Sequence, residues 1–210
     1  MTSSPSRRSV LALLGMLAIG GCGEADVTDP APAAFHDLAE PWQPIPFAVQ
    51  DSLIISAERI CREGQDLAPA GSQLFVVDAR GGNRLTLLFV GARDNGQCFV
   101  RRDAGGRLTM DGGEGEGGSD PWPPLGLTEI TFNGVGTNGG DGPGTSSSHL
   151  IGRAGAGIAV AEIVLPSGQT IQASLNRGWF SAWWPGGDPN FAVSVRGYDA
   201  AGGLHAGSTP

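Results

Sequence analysis

Short apolar runs with a period of two dominate the chain after residue 70 and predict β-strands. Each run is rich in β-branched or aromatic residues and is bounded by Gly, Pro, Asn or Asp, which is typical of strands joined by tight turns. The runs are residues 73–78, 84–92, 97–101, 107–110, 125–133, 158–165, 169–175, 179–184 and 191–198. This pattern predicts a mainly β fold, in which antiparallel meanders form a β-sandwich-like body.

Glycine-containing segments are predicted to connect these strands. The sequence Asp94-Asn95-Gly96 is the strongest hairpin signal in the chain, and we expect a tight turn there. Residues 111–124 and 134–148 are Gly-rich and poor in apolar side chains, so we expect loops. The acidic loop at 111–124 then serves as a linker between residues 47–110, a helix plus a β-meander, and a sandwich-like lobe at 125–210.

A period near 3.6 predicts one helix, at residues 48–63. Val49, Leu53, Ala57 and Ile60 fall on one face of that helix. Because this apolar face has to be buried, we expect the helix to pack on the N-terminal sheet. The alternative is that its Leu-Ile-Ile run opens a strand instead.

The N-terminal region has the order of an export signal: basic, then apolar, then small residues. Arg7 and Arg8 precede an apolar run at 10–19, which is too short for a bilayer that requires about 20 residues. Residues 1–21 are therefore predicted to be a signal peptide, of either the twin-arginine or the general secretory type. Residues 22–46 are rich in Pro and Ala and are predicted to be a tether.

The end of the predicted signal reads Ile19-Gly20-Gly21-Cys22. This sequence resembles the lipobox of bacterial lipoproteins, in which an aliphatic residue and two small residues precede a Cys. The resemblance implies cleavage before Cys22 and a diacylglycerol on its thiol, whose two acyl chains anchor a protein firmly. The alternative is an ordinary secretory signal that happens to end at a Cys.

The charge of the chain argues against two kinds of partner. The chain has 21 acidic and 13 basic residues, and its net charge of −8 becomes −10 once Arg7 and Arg8 leave with the signal. Such a chain is repelled by nucleic-acid phosphates and by anionic lipid headgroups. We therefore expect no nucleic-acid partner, and attachment to the outer face of the cell membrane through the lipid on Cys22.

The cysteine count predicts a disulfide. The chain has three Cys, and lipidation of Cys22 leaves Cys61 and Cys98 as an even pair in an oxidising compartment. This disulfide would join the buried face of the helix to the third β run. A redox or metal role is the alternative, but there is no Cys-x-x-Cys and the three His lie far apart in the sequence.

The aromatic run at 179–184 is the best candidate for a binding surface. On a strand, Trp179 and Trp183 share one face, and Phe180 and Trp184 share the other. One face has to line the core. The other is either buried too or forms a platform for a sugar, a peptide or an apolar partner. Trp179, Trp183 and Trp184 are the candidate binding residues, with an exposed patch expected near Trp183.

The remaining motifs predict no catalytic residue, no metal and no cofactor. The glycines at 134–139 match G-x-G-x-x-G, but a Gly-Pro segment follows where a dinucleotide site needs a helix. The carboxylates of 111–120 have the chemistry for a hard cation, yet a solvated loop is expected. Ser148 and His149 make poor triad geometry, because adjacent strand residues point to opposite faces.

The C-terminal part contains Leu165-Pro166-Ser167-Gly168, Gly178-Trp179-Phe180, Ala182-Trp183-Trp184-Pro185-Gly186 and Tyr198-Asp199-Ala200-Ala201-Gly202. In these residues the chain resembles uncharacterised extracytoplasmic β-rich proteins of actinobacteria, a likeness that implies no activity. We expect a lipid-anchored extracytoplasmic binding or interaction protein, whose partner is an envelope protein or a cell-wall component. The alternatives are a cell-envelope enzyme, in particular a hydrolase, and a structural spacer or folding accessory. The sequence does not predict the ligand or the oligomeric state.

Overall fold

A computed structural model of the protein describes residues 36–64, 67–139, 146–186 and 193–205. These residues contain the helix α1 (Asp51–Glu63) and twelve strands. The strands are β1 (Gln73–Ala79), β2 (Arg84–Val90), β3 (Asp94–Arg102), β4 (Leu108–Gly117), β5 (Ile130–Asn138), β6 (Ser147–Ala154), β7 (Val160–Val164), β8 (Thr170–Gln172), β9 (Ser174–Asn176), β10 (Trp179–Pro185), β11 (Ser194–Tyr198) and β12 (Leu204–His205). The predicted signal peptide, Cys22 and the first part of the predicted tether lie outside the described residues.

The strands form three antiparallel sheets that stack in layers. The first sheet has the order β1-β2-β3-β4, the second β5-β6-β10-β9 and the third β12-β11-β7-β8. One apolar cluster joins α1 to the first sheet, a smaller one joins the first sheet to the second, and a third joins the second sheet to the third. The prediction of a mainly β fold, with one helix packed on the N-terminal sheet, is confirmed.

The helix is held on the first sheet by apolar contacts and by the predicted disulfide. Ala57 and Cys61 are its buried positions, and Cys61 is bonded to Cys98 of β3, with 5.9 Å between the two Cα atoms. The helix starts three residues later than predicted, since Gln50 is still extended with φ −62° and ψ 141°.

The central strand β2 shows how the layers divide. Leu85, Leu87 and Phe89 belong to the cluster beneath α1, whereas Leu88 and Val90 belong to the cluster shared with the second sheet. All seven residues of β2 are buried, as expected for a strand covered on both faces. Since side chains alternate along a strand, Thr86 faces the second sheet with Leu88.

The hairpin turn predicted at Asp94-Asn95-Gly96 is wrong, because these residues begin β3. The turn lies just before them, where the Gly91 N–H donates to the Asp94 carbonyl at 2.9 Å. Gly96 does not have a positive φ. A side chain at that position would collide with the backbone of Leu67. The glycine therefore allows a close approach between segments, not a turn.

The linker predicted at 111–124 is also partly wrong. Residues 111–117 continue β4, which pairs with β3 through Glu114 opposite Gln97 and Glu116 opposite Asn95. A Cβ at Gly113 would meet the Leu67 side chain, so glycine lets that side chain lie against the strand. Similarly, residues 134–138 belong to β5 and 147–148 to β6, although they were predicted to be loop.

The C-terminal strands agree with the prediction in outline, but the strand predicted at 125–133 begins only at Ile130, and residues 191–192 of the strand predicted at 191–198 lie outside the described residues. The predicted strand 169–175 is two strands, β8 in the third sheet and β9 in the second. The break is at Ala173, whose N–H bonds to the Ala161 carbonyl at 2.8 Å. A twelfth strand, β12, had no sequence signal. The turn residue Gly168 has φ +82°, as expected for the predicted Pro-Ser-Gly turn.

The second part of the predicted tether belongs to the folded body. Leu38 is fully buried in the cluster under α1. The Gln43 N–H donates to the Arg80 carbonyl at 2.8 Å, and the Phe47 N–H donates to the Ala79 carbonyl at 2.9 Å. Ile45, in contrast, is 58 % exposed. Backbone hydrogen bonds and one buried Leu therefore replace the expected free linker over 36–46.

Candidate functional site: a polar layer between two sheets

Polar side chains fill much of the space between the first and second sheets. We call this set the polar layer: Arg84, Thr86, Asn95, Gln97, Glu114, Ser147, His149 and Ser181. All except Glu114 are buried. The two sheets touch through it where the Gln97 Nε2 donates to the Ser181 Oγ at 2.7 Å. The neighbouring layers are apolar by comparison, so this interface is where the fold concentrates polar groups.

His149 and Glu114 form a pair of titratable side chains in the polar layer that links the first and second sheets. Nε2 of His149 on β6 lies 2.6 Å from Oε1 of Glu114 on β4. The oxygen lies off the direction of the ring N–H, so the contact has ion-pair distance without hydrogen-bond geometry. His149 is 2 % exposed, and the Glu114 side chain is 39 % exposed. The carboxylate therefore connects a buried imidazole to the surface.

A glycine makes room for this pair. Gly136 on β5 is directly opposite His149 on β6. A Cβ at Gly136 would lie 2.7 Å from the His149 Nε2 and 2.9 Å from the Glu114 Oε2. The side chain missing at Gly136 thus provides the space in which the imidazole and carboxylate meet. On the other side, the Phe99 ring lies 4.8 Å from the imidazole, centroid to centroid.

Several buried polar atoms have no hydrogen-bond partner among the described residues, and most belong to the polar layer or its border. They are Oγ1 of Thr86, Nδ2 of Asn95, Oε1 of Gln97, Oδ1 of Asn133, both ring nitrogens of His149, Nε1 of Trp122, Nε1 of Trp183 and Oγ of Ser72. A buried polar group that finds no partner of any kind costs about 1–3 kcal/mol of stability. Their concentration in one interface marks it as the least satisfied part of the described structure, which is often a sign of function.

The polar layer reaches the surface at a small acidic cavity of about 170 Å³. It is lined by Asn95, Glu114, Gly115, Glu116, Asn133, Gly134, Val135 and Ile151. Two carboxylates and two side-chain amides line it, and no Arg does. This set accepts hydrogen bonds from hydroxyl or ammonium groups and, through the amides, donates them.

Arg84 closes the opposite end of the polar layer. Its guanidinium donates to the Ser147 hydroxyl and to the Asp111 carboxylate, and it lies 5.5 Å from the centre of the Trp183 ring. Burial lowers the pKa of Arg84, and Asp111 opposes that effect. Asp111 is thus committed to Arg84 and does not line the acidic cavity.

A buried ion pair ties the same two sheets together nearby. Asp78 on β1 and Arg80, the residue that follows the end of β1, are both fully buried, with 2.9 Å between the Arg80 Nε and the Asp78 Oδ2. Asp78 also accepts from the Ser174 hydroxyl at 2.8 Å, and Arg80 donates to the carbonyls of Pro44 and Gln172. Burial raises the pKa of Asp78 in spite of the adjacent guanidinium. This pair holds three segments of the chain in register.

The exposed aromatic patch predicted near Trp183 is wrong. Trp179, Trp183 and Trp184 are 5 %, 3 % and 7 % exposed. Trp184 packs between the second and third sheets, and Trp179 packs between the first and second. The Trp183 ring is covered by Trp42, at 6.4 Å between centroids. The alternation along the strand was correct, but both faces of β10 are covered because the second sheet lies between two others.

The other His residues and motifs do not form a catalytic set. His36 pairs with Glu40 at 3.0 Å and His205 with Asp199 at 3.2 Å, both at the surface. Gly134 and Gly136 lie within strand β5, not before a helix. Among the described residues, no group of three or more His, Cys, Asp or Glu side chains is arranged to hold a metal ion. No helix in the described ranges is both long and apolar enough to cross a membrane.

Sequence reasoning missed the polar layer. The sequence does not show that His149 and Glu114 meet, because it predicts a solvated loop at 111–124, where Glu114 lies. A usable signal was present in the alternation of Gly113, Glu114, Gly115 and Glu116, which has the period of a strand. Gln97 within an apolar run was a second signal, since a buried strand seldom carries a polar side chain without a partner.

The chain was compared with protein-family models, with curated proteins and with solved structures, and none of the three comparisons gave a match.

Proposed function

We propose that the protein is a lipid-anchored binding protein of the bacterial cell envelope. The lipobox-like Ile19-Gly20-Gly21-Cys22 supports export and lipidation. The Cys61–Cys98 disulfide supports the same compartment, since structural disulfides persist mainly outside the cytoplasm. The partner is an envelope protein or a component of the cell wall.

The acidic cavity at the edge of the polar layer is the proposed binding site. One observation carries this choice: Glu114 and Glu116 line the cavity beside Asn95, whose buried Nδ2 has no partner in the described structure. Buried donors left unpaired cost stability, and a ligand that accepts from them recovers that cost. The carboxylates favour a positively charged or hydroxylated group. The proposed ligand is therefore a small polar group of this kind, such as an amino sugar at one end of a wall polymer.

Titration with glucosamine tests this site. Glucosamine carries an ammonium group and several hydroxyls, and we expect it to raise the thermal midpoint of the chain from residue 22 onward. The Glu114→Gln and Glu116→Gln variants should lose this shift, whereas Glu63→Gln, at the exposed end of α1, should keep it. Glucose and acetate serve as probes without the ammonium group. If Glu114→Gln responds as strongly as the unmodified chain, the cavity is not the site.

A further inference from the structure

A second recess lies on the far side of the molecule, between α1 and the turn that joins β3 to β4. Its volume is about 570 Å³. It is lined by Gln50, Ser52, Leu53, Ser56, Arg59, Ile60, Arg102, Gly106, Arg107 and Leu108. We call it the arginine groove. Its apolar floor is formed by the half-buried Leu53, Ile60 and Leu108.

The charge of the arginine groove is opposite to that of the chain. Three of its lining residues are Arg and none is acidic, although the chain as a whole carries a net charge of −8. Arg102 is paired with Asp37. Arg59 and Arg107 are exposed and form no ion pair or hydrogen bond through their guanidinium groups with the described residues. The guanidinium groups of Arg59 and Arg107 can therefore each donate two hydrogen bonds to the oxygens of a phosphate group.

An apolar side chain stands beside these guanidinium groups. Ile55 is 66 % exposed, and it lies one turn before Arg59 on the outer side of α1. Residues four apart are neighbours on a helix surface. The apolar face of α1 is buried on the first sheet, so Ile55 is a single exposed apolar side chain that adds apolar contact area beside Arg59.

The arginine groove lies near the N-terminal end of the described chain, on the side from which the predicted lipid anchor at Cys22 is reached. His36 and Asp37, at the start of the described chain, line an adjoining recess of about 250 Å³ that shares Gln50, Leu53 and Arg102 with the groove. His36 follows Cys22 by 14 residues, which span at most about 50 Å when fully extended. A lipid on Cys22 would therefore hold His36 within about 50 Å of the bilayer surface.

We propose that the arginine groove is the membrane-facing surface of the protein and takes the phosphate of an anionic phospholipid headgroup. This inference rests on the proposed lipid anchor, which makes the contact intramolecular and so allows a weak affinity to suffice. The acidic net charge of the chain repels an anionic surface, but this repulsion is screened beyond about 8–10 Å, whereas the guanidinium groups of the groove meet headgroups at shorter range. Contact through the groove would orient the protein with α1 toward the bilayer. The polar layer, on the other face of the first sheet, would then lie on the side away from the bilayer.

The test uses residues 22–210 carrying Cys22→Ser, so that no lipid contributes. All the described residues within 36–205 belong to one compact unit. We expect this protein to bind vesicles of mixed phosphatidylglycerol and phosphatidylcholine, and not vesicles of phosphatidylcholine alone. Each basic residue near an anionic surface strengthens binding roughly fivefold, so Arg59→Gln with Arg107→Gln should weaken it about 30-fold. Added salt should weaken it as well.

A matched double variant separates the groove from overall charge. Arg93→Gln with Arg196→Gln removes the same charge from exposed positions elsewhere, and it should retain most of the binding. Equal losses in the two double variants would overturn the proposal, as would equal binding to the two kinds of vesicle. Calorimetry with inorganic phosphate distinguishes the source of the anion: binding of phosphate without binding of vesicles would make the groove a soluble-anion site and overturn the membrane contact.

The result of the vesicle assay does not depend on whether the proposed lipid anchor is correct. The vesicle assay uses an unlipidated chain, so it reports on the groove whether or not Cys22 is modified in cells. Failure of lipid incorporation at Cys22 would overturn the proposed anchor and leave the measured groove affinity unchanged.

Discussion

His149 lies 2.6 Å from Glu114, and this contact joins the middle of the second sheet to the edge strand of the first. The imidazole comes from β6 and the carboxylate from β4, and strand β5 with its two connections separates them in the chain. The pair therefore forms only when the two sheets have packed. It is also the point at which the buried polar layer continues into the acidic cavity.

The first prediction concerns the space around this pair. Gly136→Ala places a Cβ 2.7 Å from the imidazole and 2.9 Å from the carboxylate, so one of them has to move. We expect the free energy of unfolding in urea to fall by about 1–3 kcal/mol, the usual cost of overpacking. Gly139→Ala is the control, because a Cβ there meets nothing within 4 Å. A similar loss in both variants would mean that glycine flexibility, not the pair, accounts for the effect.

The second prediction concerns the buried ion pair. Arg80→Met leaves the fully buried Asp78 carboxylate without its cation, and we expect unfolding to become easier by about 3–5 kcal/mol near neutral pH. Burial already raises the pKa of Asp78 above its ordinary value of 3.8, with Arg80 opposing this. The loss of Arg80 raises it further.

The sign of the pH dependence follows from the raised pKa. The folded state holds the Asp78 proton more tightly than the unfolded state does, so the contribution of this group to stability is present at low pH. It is lost as the pH rises from the ordinary pKa through the raised value. Urea unfolding of Arg80→Met should therefore show a deficit that shrinks toward pH about 4. Adding Asp78→Asn should remove this pH dependence, and its persistence would assign it to another group.

How far the sequence predicts this fold depends on whether a signal is local. The Pro-Ser-Gly turn at 166–168, the helical period around Ala57 and the alternation along β10 are local patterns, and all were correct. Burial of both faces of β10 was one of two alternatives that the sequence left open, because it depends on a third sheet whose strands come from elsewhere in the chain. The polar layer was missed for the same reason. Gln97 and Ser181 are 84 residues apart, and no local pattern at either residue shows that the two side chains meet.

Glycine accounts for the other errors, because the same residue serves two purposes. In Asn95-Gly96 it was expected to supply a positive φ for a turn. In the structure it supplies the absence of a side chain, so that the Leu67 backbone can approach β3. The glycines of residues 112–117 were taken for loop residues, yet they form an edge strand. The sequence gives the positions of the glycines, but only the packed neighbours show whether a glycine is needed for a positive φ or for the absence of a side chain.

The third prediction concerns the disulfide. Cys61→Ala with Cys98→Ala opens a loop closed over a sequence separation of 37 residues, which the chain-entropy model values at about 3–4 kcal/mol. We expect a loss of that size in the free energy of unfolding, with α1 affected first, because the bond attaches it to β3. Hydrogen exchange of the α1 amides measures the local effect. Exchange that accelerates equally in α1 and in the third sheet would contradict a local role for the bond.

The fourth prediction concerns Asp199, in the turn before β12. The Gly203 N–H donates to Oδ1 of Asp199 at 2.8 Å, the Ala201 N–H donates at 2.9 Å, and His205 lies 3.2 Å from Oδ2. The Gly203 N–H is the main reason that the pKa of Asp199 lies below its ordinary 3.8. Its contribution to stability is present above the ordinary pKa and is lost as the pH falls.

Carboxyl NMR titration measures this value directly. His205→Ala should raise the pKa of Asp199 part of the way to 3.8, since the backbone donors remain. Asp37 is the internal control, because its lowered pKa depends first on the Ala39 N–H and should not respond. A full return of Asp199 to its ordinary value would show that His205, and not the turn backbone, dominates.

The fifth prediction concerns Cys22. Labelling of growing cells with palmitate should mark the unmodified protein, and Cys22→Ser should abolish the label and release a folded protein from the membrane. Release is expected even though the arginine groove contacts lipid, because two acyl chains bind far more strongly than a few Arg side chains. The released variant should keep the Cys61–Cys98 bond, which peptide mapping detects. A Cys22→Ser protein that is unlabelled but remains on the membrane in high salt would rule out the acyl chains as the anchor.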